Sequence, residues 1–136
     1  MRRRAALLGL LVLAACSVDR QQETHYMTYT AARIEGAVHK GWVPDWLPAN
    51  ANTLKEKHTP SNGQAILQFA FPPADKWTPP ATCTRAVAAS APRPVLTAAW
   101  WPKDVPPSGY IVHACNGARE FLAVDFARGE ALYWRK

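Results

Sequence analysis

The sequence contains none of the short motifs that are typical of nucleotide, calcium or serine-nucleophile chemistry. It has no glycine-rich phosphate loop, no dinucleotide fingerprint, no calcium-binding loop and no Gly-x-Ser-x-Gly turn. It also has no internal repeat and no low-complexity tract, and its 136 residues are enough for one small domain. These absences exclude a repeat architecture and make an enzyme the less favoured class of protein.

Metal-binding patterns are missing as well. The four histidines are His25, His39, His58 and His113, and no two of them have the spacing that places both rings on one metal ion. The carboxylates are isolated in the sequence, except that Glu56 would share one face of a strand with His58. We therefore predict no metal and no cofactor.

Cysteine is scarce, with three residues in the whole chain. Cys16 ends an apolar segment, so Cys83 and Cys115 remain as one pair. In an exported protein such a pair is most simply a disulfide, which contributes on the order of 3 to 4 kcal/mol on the chain-entropy model. The alternatives are a metal pair and a nucleophilic thiol. The spacing is not Cys-x-x-Cys, and the sequence identifies no base beside either thiol.

The N-terminus has the organisation of an export signal. Three arginines precede an apolar run, which ends in Leu-Ala-Ala-Cys at residues 13–16. The run is shorter than the roughly 20 apolar residues that span a bilayer. The pattern resembles the lipobox of bacterial lipoproteins, in which the cysteine is acylated and becomes the first residue of the mature protein. The alternative is an ordinary secretory signal that happens to contain Cys16.

The resemblance to a lipoprotein implies three segments. Residues 1–15 are the signal peptide, residues 16–24 are a lipidated flexible tether, and residues 25–136 form a single globular domain. Acyl chains such as palmitate on Cys16 would anchor the protein to a membrane of the bacterial cell envelope, facing the periplasm. Ser17 after the cysteine favours the outer membrane.

The charge of the mature chain is modest. The full chain has 16 basic and 10 acidic residues, and loss of the three arginines of the signal leaves 13 against 10, a balance of +3. The basic residues are scattered along the sequence. We therefore predict no nucleic-acid partner.

Alternating apolar residues predict strands at residues 53–58, 64–71, 110–115, 120–126 and 130–135. The first two form a hairpin, and the last three form a meander. A short helix is expected at residues 30–35, and residues 82–91 suit either a helix or a strand. We predict an α+β fold, with an antiparallel sheet of about five strands, loops rich in proline and tryptophan, and one short N-terminal helix.

Tryptophan beside proline is the most unusual feature of the mature chain. Trp42 and Trp46 lie in one such segment, and Trp100 and Trp101 precede Pro102 in another. Most tryptophans of a small domain pack in its core, and neighbouring prolines fix the loops that carry them. Tryptophans on rigid loops are also typical of recognition sites. All four are therefore candidates for binding a partner, and the core is the alternative.

The run GWVPDWLPANANTLKEKHTPSNGQAILQFAF, residues 41–71, resembles an uncharacterised family of small bacterial lipoproteins. In that family a Gly-Trp-x-Pro-x-x-Leu-Pro element precedes a β-hairpin. The matching residues are Gly41, Trp42, Pro44, Leu47, Pro48, Glu56, His58, Phe69 and Phe71. The resemblance implies no activity.

Two functions remain as hypotheses. The first is a lipid-anchored binding or structural protein that acts on a periplasmic protein or on peptidoglycan. The second is an envelope hydrolase that uses Glu56 and His58 as acid and base. The second hypothesis requires both side chains and a third polar group in one pocket, whereas side chains on a flat, solvent-facing edge would exclude it.

Overall fold

One antiparallel sheet of seven strands organises the chain. The computed structural model describes residues 20–136, so the predicted signal peptide, the lipidation site at Cys16 and the start of the tether lie outside the described residues. The elements are β1 Gln22–Thr28, α1 Tyr29–Ile34, β2 Asn52–His58, β3 Ala65–Ala70, β4 Cys83–Arg85, β5 Ile111–Cys115, β6 Glu120–Asp125 and β7 Glu130–Arg135. Their order across the sheet is β1-β2-β3-β7-β6-β5-β4.

The predicted α+β class is wrong, because the described chain is mostly β. Only 10% of it is helical, and α1 has six residues. This helix lies where a short helix was expected: Thr28 caps it by accepting a hydrogen bond from the backbone N–H of Ala31, and Gly36 follows it at φ 85°. One short helix on a seven-stranded sheet does not make a helical layer.

The five strands expected from alternation are present as β2, β3, β5, β6 and β7. Two further strands are present that alternation did not indicate. β1 has one buried residue, Tyr26. Its first three residues, 22–24, belong to the predicted tether, which is therefore shorter than expected. β4 has three residues and pairs with β5 at one end of the sheet. Both lie at the edges, where a strand needs little apolar sequence.

The sheet is built from two halves. The β2–β3 hairpin carries β1 on its outer side, and the β5–β6–β7 meander carries β4. β3 and β7 join the halves in antiparallel register, from Ala65 opposite Arg135 to Ala70 opposite Glu130. The predicted hairpin and meander are therefore confirmed, and the pairing between them forms the centre of the sheet.

Each face of the sheet is covered mainly by loop segments. The first face carries Leu54, Leu67 and Tyr133, and it packs against α1 and the loop that follows, residues 35–51. The second face carries Ile66, Phe121 and Trp134 and packs under residues 86–105. The two faces alternate along each strand, as the period of two requires.

The disulfide predicted between Cys83 and Cys115 is confirmed. The two residues lie opposite each other on β4 and β5, with the sulfur atoms 2.07 Å apart. The bridge fixes the shortest strand to the sheet. In residues 20–136, no helix has the length and apolar character needed to cross a membrane.

Candidate functional site

A buried acid–base pair lies on the first face of the sheet. Glu56 and His58 occupy alternate positions of β2, so both point inward with Leu54. Glu56 is 0% exposed and His58 is 2% exposed. The distance from Glu56 Oε1 to His58 Nδ1 is 2.6 Å. The alternation of the strand therefore brings the two residues together, as the sequence indicated, but inside the protein.

The loop after α1 closes over the imidazole. Trp42 stacks on His58 with ring centroids 4.3 Å apart, and the Lys40 ammonium lies 4.6 Å from the centre of the Trp42 ring. The loop can turn here because Gly41 has φ 77°, and the backbone N–H of Trp42 donates to the carbonyl of Ala37. Trp42 thus covers one face of the His58 ring.

Arg135 reaches the same region from β7. Through the register of the sheet, His58 lies opposite Ala65, Ala65 opposite Arg135, and Arg135 opposite Glu120. The residue between them in the register is the small Ala65, and His58 and Arg135 line one opening. The Arg135 Nη1 donates a hydrogen bond of 2.9 Å to the carbonyl of Gly41. The guanidinium therefore connects the covering loop to the sheet.

Three polar atoms of this cluster are buried without a hydrogen-bond partner among residues 20–136: Glu56 Oε2, His58 Nε2 and Arg135 Nε. Leaving a buried polar group unpaired costs about 1 to 3 kcal/mol, and more for a charged group. Such groups commonly mark a site that an ion, a ligand or ordered water completes.

Burial sets the protonation of the pair. Desolvation raises the pKa of the Glu56 carboxyl to about 8; the positive charge of Arg135 opposes this rise and the negative charge of Glu23 adds to it. Burial, and then the charge of Arg135, lower the pKa of the His58 imidazole below its usual value. At neutral pH the pair therefore keeps one proton between the two side chains and has no net charge.

Two openings share Gly41 and Arg135 among their lining residues. The smaller, which we call the His58 cavity, has a volume of about 180 Å³. It is lined by Lys40, Gly41, Trp42, His58, Thr59, Pro60, Gly63 and Arg135. Lys40 and Arg135 supply fixed positive charge, and none of the residues that line the cavity is acidic.

The larger opening, which we call the Trp46 cleft, has a volume of about 520 Å³. It is lined by Val38, Gly41, Val43, Pro44, Asp45, Trp46, Pro80, Thr82, Asn116, Glu120, Tyr133 and Arg135. Its charged groups include Asp45, which is exposed, and Glu120. Burial and a hydrogen bond to Glu120 raise the pKa of the Tyr133 phenol above its usual range. Aromatic rings and charges of both signs therefore share one concave surface.

The four candidate tryptophans are divided between the two faces. Trp46 lines the cleft, stacks parallel to Trp77 and contacts Tyr133 edge-on. Trp100 and Trp101 belong to the second face and do not form an exposed pair. Trp101 is only 7% exposed, and Trp100 is half-buried and donates a 2.6 Å hydrogen bond from its indole to Glu23.

Sequence reasoning did not find Lys40, Arg135, Glu120 or Tyr133 as members of the site. Tyr133 and Arg135 alternate on β7 in the same way as Glu56 and His58 on β2, and that period is visible in the sequence. The pairing of β3 with β7, which brings the two strands near each other, is not visible. In the part of the chain that the structure describes, no cluster of three His, Cys, Asp or Glu residues could hold a metal ion.

The fold and the site define a small all-β domain with a buried acid–base pair under a tryptophan loop. Residues 20–70 match the family model described as the YbbD head domain. The matched segment contains β1, α1, the β2–β3 hairpin, Glu56 and His58, and it ends before Arg135. No curated protein and no solved structure matches the chain.

Proposed function

We propose that this chain is a lipid-anchored protein of the bacterial cell envelope that binds a periplasmic protein or a cell-wall component. Its anchor would be the acylated Cys16, and the domain would face the periplasm, with the outer membrane favoured by Ser17. The apolar run before Cys16 supports the anchor. The Trp46 cleft is the observation that supports a binding role.

The cleft has the character of a recognition site. Its volume lies within the range of about 300 to 1,000 Å³ that is typical of ligand sites. Trp46 and Tyr133 offer rigid aromatic surface, and such residues often dominate the free energy of binding. Asp45 and Arg135 present opposite charges at this surface, which suits a partner with both kinds of polar group.

We also propose that the chain is a lipoprotein of the family with the Gly-Trp-x-Pro-x-x-Leu-Pro element. Trp42 and Pro44 of that element carry roles in the site. Trp42 stacks on His58, and the carbonyl of Pro44 accepts a 2.9 Å hydrogen bond from the Tyr29 phenol. The element would thus shape the loop over the acid–base pair.

Site-specific photo-cross-linking in intact envelopes tests the binding role. A photoreactive residue at position 45, on the cleft, should capture one defined species, whereas the same residue at position 104, an exposed carboxylate position outside the cleft, should not. Asp45→Arg, combined with a photoreactive residue at exposed position 82, should remove the product. Equal labelling from positions 45 and 104 would contradict a cleft-specific partner.

The anchor has a separate test. The wild-type chain should sediment with membranes, and its N-terminal peptide should have the mass of an acylated cysteine. Cys16→Ser should release the protein into the soluble periplasmic fraction. A Cys16→Ser chain that still sediments with membranes would contradict lipid attachment at this residue.

An envelope hydrolase is the second candidate, and the hydrogen-bonded Glu56–His58 pair is the observation that favours it. Arg135 is the third polar group that this hypothesis requires, since it lines one cavity with His58. Glu56 itself does not line that cavity. The test is release of soluble fragments from purified cell-wall material. Activity that His58→Ala abolishes and His39→Ala preserves would support a hydrolase, and equal fragment release by the two variants would contradict it.

A further inference from the structure

We propose that the His58 cavity binds a small oxyanion, a carboxylate or a phosphate group, through His58, Arg135 and Lys40. This inference goes beyond the proposed function, because an oxyanion could bind here whether or not the protein is anchored and whether or not the Trp46 cleft holds a partner. The first support is the charge of the walls. The cavity is lined by two basic side chains, Lys40 and Arg135, and by no acidic one.

The second support is the set of unpaired nitrogen atoms. His58 lines the cavity, and its Nδ1 is occupied by Glu56, so Nε2 is the ring nitrogen left to contact a ligand. Among residues 20–136, neither His58 Nε2 nor Arg135 Nε has a hydrogen-bond partner. An oxyanion provides acceptor oxygens for both, and hydrogen bonds between a cation and an oxyanion are among the stronger ones.

The third support is the proton held by the pair. If Glu56 is a carboxylic acid, it donates to Nδ1 and leaves hydrogen on Nε2. If the proton moves to the imidazole, both ring nitrogens carry hydrogen. Nε2 is therefore a donor in either arrangement. Only when the pair loses its proton does Nε2 become an acceptor, which would repel an oxyanion.

The charged and titratable groups around the pair come from several elements. β1 contributes Glu23 and Tyr26, and the covering loop contributes Lys40. β7 contributes Tyr133 and Arg135, and β6 contributes Glu120, which lies opposite Arg135 but does not line the cavity. From β3 the residues opposite the pair are Leu67 and Ala65, which do not titrate. The charged side chains on the cavity wall are thus positive. The proton held by the pair makes His58 Nε2 a hydrogen-bond donor and places no negative charge on the wall.

Size limits the ligand to a small group. A volume of about 180 Å³ is several times the roughly 30 Å³ that one water molecule occupies in the liquid. It can hold a phosphate, or the carboxylate end of a longer molecule that continues outward past Lys40, which is exposed. Both ligands present an oxyanion to the cavity, and the experiment below distinguishes between them.

The experiment is a calorimetric titration of the full chain, purified in detergent, with inorganic phosphate, acetate, N-acetylalanine and N-acetylalanine amide. We expect saturable binding of at least one of the anions at pH 7 and no binding of the amide. Tighter binding of phosphate would identify a free anion as the source, and tighter binding of N-acetylalanine would identify a terminal carboxylate. No saturable binding of any anion, or equal binding of the amide, would overturn the proposal.

Variants place the binding in this cavity. Lys40→Gln should weaken it about three- to tenfold, because it removes one partly screened charge. The control is Lys103→Gln, which removes an exposed cation beside the second face and should leave binding unchanged. Equal effects of the two lysine variants would show that the anion responds only to net charge.

Glu56→Gln tests the proton argument without removing the ring. The glutamine amide donates to Nδ1 as the carboxylic acid does, so Nε2 stays a donor at every pH. Wild-type binding should weaken as the pH rises through about 8, whereas binding by the variant should persist. The ¹⁵N chemical shift of His58 Nε2 reports its protonation directly. An unprotonated Nε2 in the wild type at pH 7 would also overturn the proposal.

Discussion

The two faces of the sheet bury their side chains in different ways. The second face holds an aromatic cluster in which Phe121 stacks on Trp134 and Trp101 meets Trp134 edge-on. Within residues 20–136, the buried side-chain atom of that face that has no hydrogen-bond partner is the neutral indole Nε1 of Trp101. On the first face the corresponding atoms belong to ionisable groups, on Glu56, His58, His113 and Arg135.

The two faces therefore differ in how they affect stability and in how their stability depends on pH. Aromatic packing contributes through buried area and ring contacts, which depend little on pH. Buried ionisable groups cost free energy unless something completes their hydrogen bonds. The second face therefore contributes packing alone to the fold, whereas the first face has an apolar core of its own and also carries a cost that the proposed oxyanion site would offset.

The largest expected effect is the loss of Trp134. This indole is 0% exposed, and its N–H donates to the carbonyl of Pro92. Trp134→Ala should lower the free energy of unfolding by about 3 to 5 kcal/mol, because it leaves a cavity and an unpaired carbonyl. Denaturant unfolding measures the change. A loss below about 1 kcal/mol would mean that packing on the second face contributes little to the fold.

Removal of the disulfide should have a somewhat smaller effect. Cys83 and Cys115 are separated by 32 positions and enclose the segment that covers the second face. Cys83→Ser with Cys115→Ser should cost about 3 to 4 kcal/mol through the gain in entropy of the unfolded chain. Wild-type protein under strong reductant should match the double variant. Equal stability with and without the bridge would contradict the prediction.

The Glu56–His58 pair of the first face should make the free energy of unfolding depend on pH, whereas the aromatic cluster of the second face should not. The ordinary pKa values are 4.5 for glutamate and 6.5 for histidine, so the unfolded pair loses its last proton as the pH rises through 6.5, whereas the folded pair loses its proton only at about pH 8. The unfolded state then binds fewer protons, and stability must fall as the pH rises. The slope is at most about 1.4 kcal/mol per pH unit, and because each state is half-protonated at one end of this window, the fall from pH 6.5 to 8 is about 1 kcal/mol.

Glu56→Gln removes this dependence, because the amide does not ionise. The variant should show a nearly constant free energy of unfolding between pH 6.5 and 8, while the wild type declines. Thermal unfolding at several pH values measures both. His39→Ala, an exposed histidine on the covering loop, is the matched control and should follow the wild type. Parallel curves for the wild type and Glu56→Gln would show that Glu56 is already ionised at pH 6.5.

The smallest effect is expected where the second face reaches solvent. The Trp100 indole donates to Glu23, and this hydrogen bond is the main cause of the lowered pKa of that carboxyl. Trp100→Phe should raise the pKa of Glu23 and cost no more than about 1 kcal/mol, since the contact is exposed. NMR titration of the Glu23 carboxyl measures the shift. An unchanged pKa would mean that the indole does not bond to Glu23 in solution.

Much of the sheet was predictable because five strands alternate clearly. β1 was not, because its sequence is polar and only Tyr26 is buried. β4 lies within residues 82–91, for which a helix and a strand both remained open, because three residues give no period and the disulfide holds them in place. The fold class was wrong because the one short helix, although present where it was expected, is too small to form a helical layer, while two polar or short segments became strands.

Part of the candidate site was predictable from the sequence. Alternation placed Glu56 and His58 on one face of β2, but it could not show whether that face pointed to solvent or to the core. Arg135 joins them only through the pairing of β3 with β7, which links distant parts of the chain. Trp100 and Trp101 are adjacent in sequence, yet one is half-buried and the other is buried, because consecutive side chains meet different surroundings.

The pairing of β3 with β7 also bears on the segment that matches the YbbD head domain. That segment ends at residue 70, so it supplies β1, β2 and β3 but not the strand that covers the outer edge of β3. β3 is almost entirely buried, and its open edge would expose a row of backbone N–H and C=O groups. A chain that contains this three-stranded unit therefore needs a strand, a helix or a loop to protect that edge. In this chain the covering strand is β7, which also brings Arg135 to the rim of the acid–base pair.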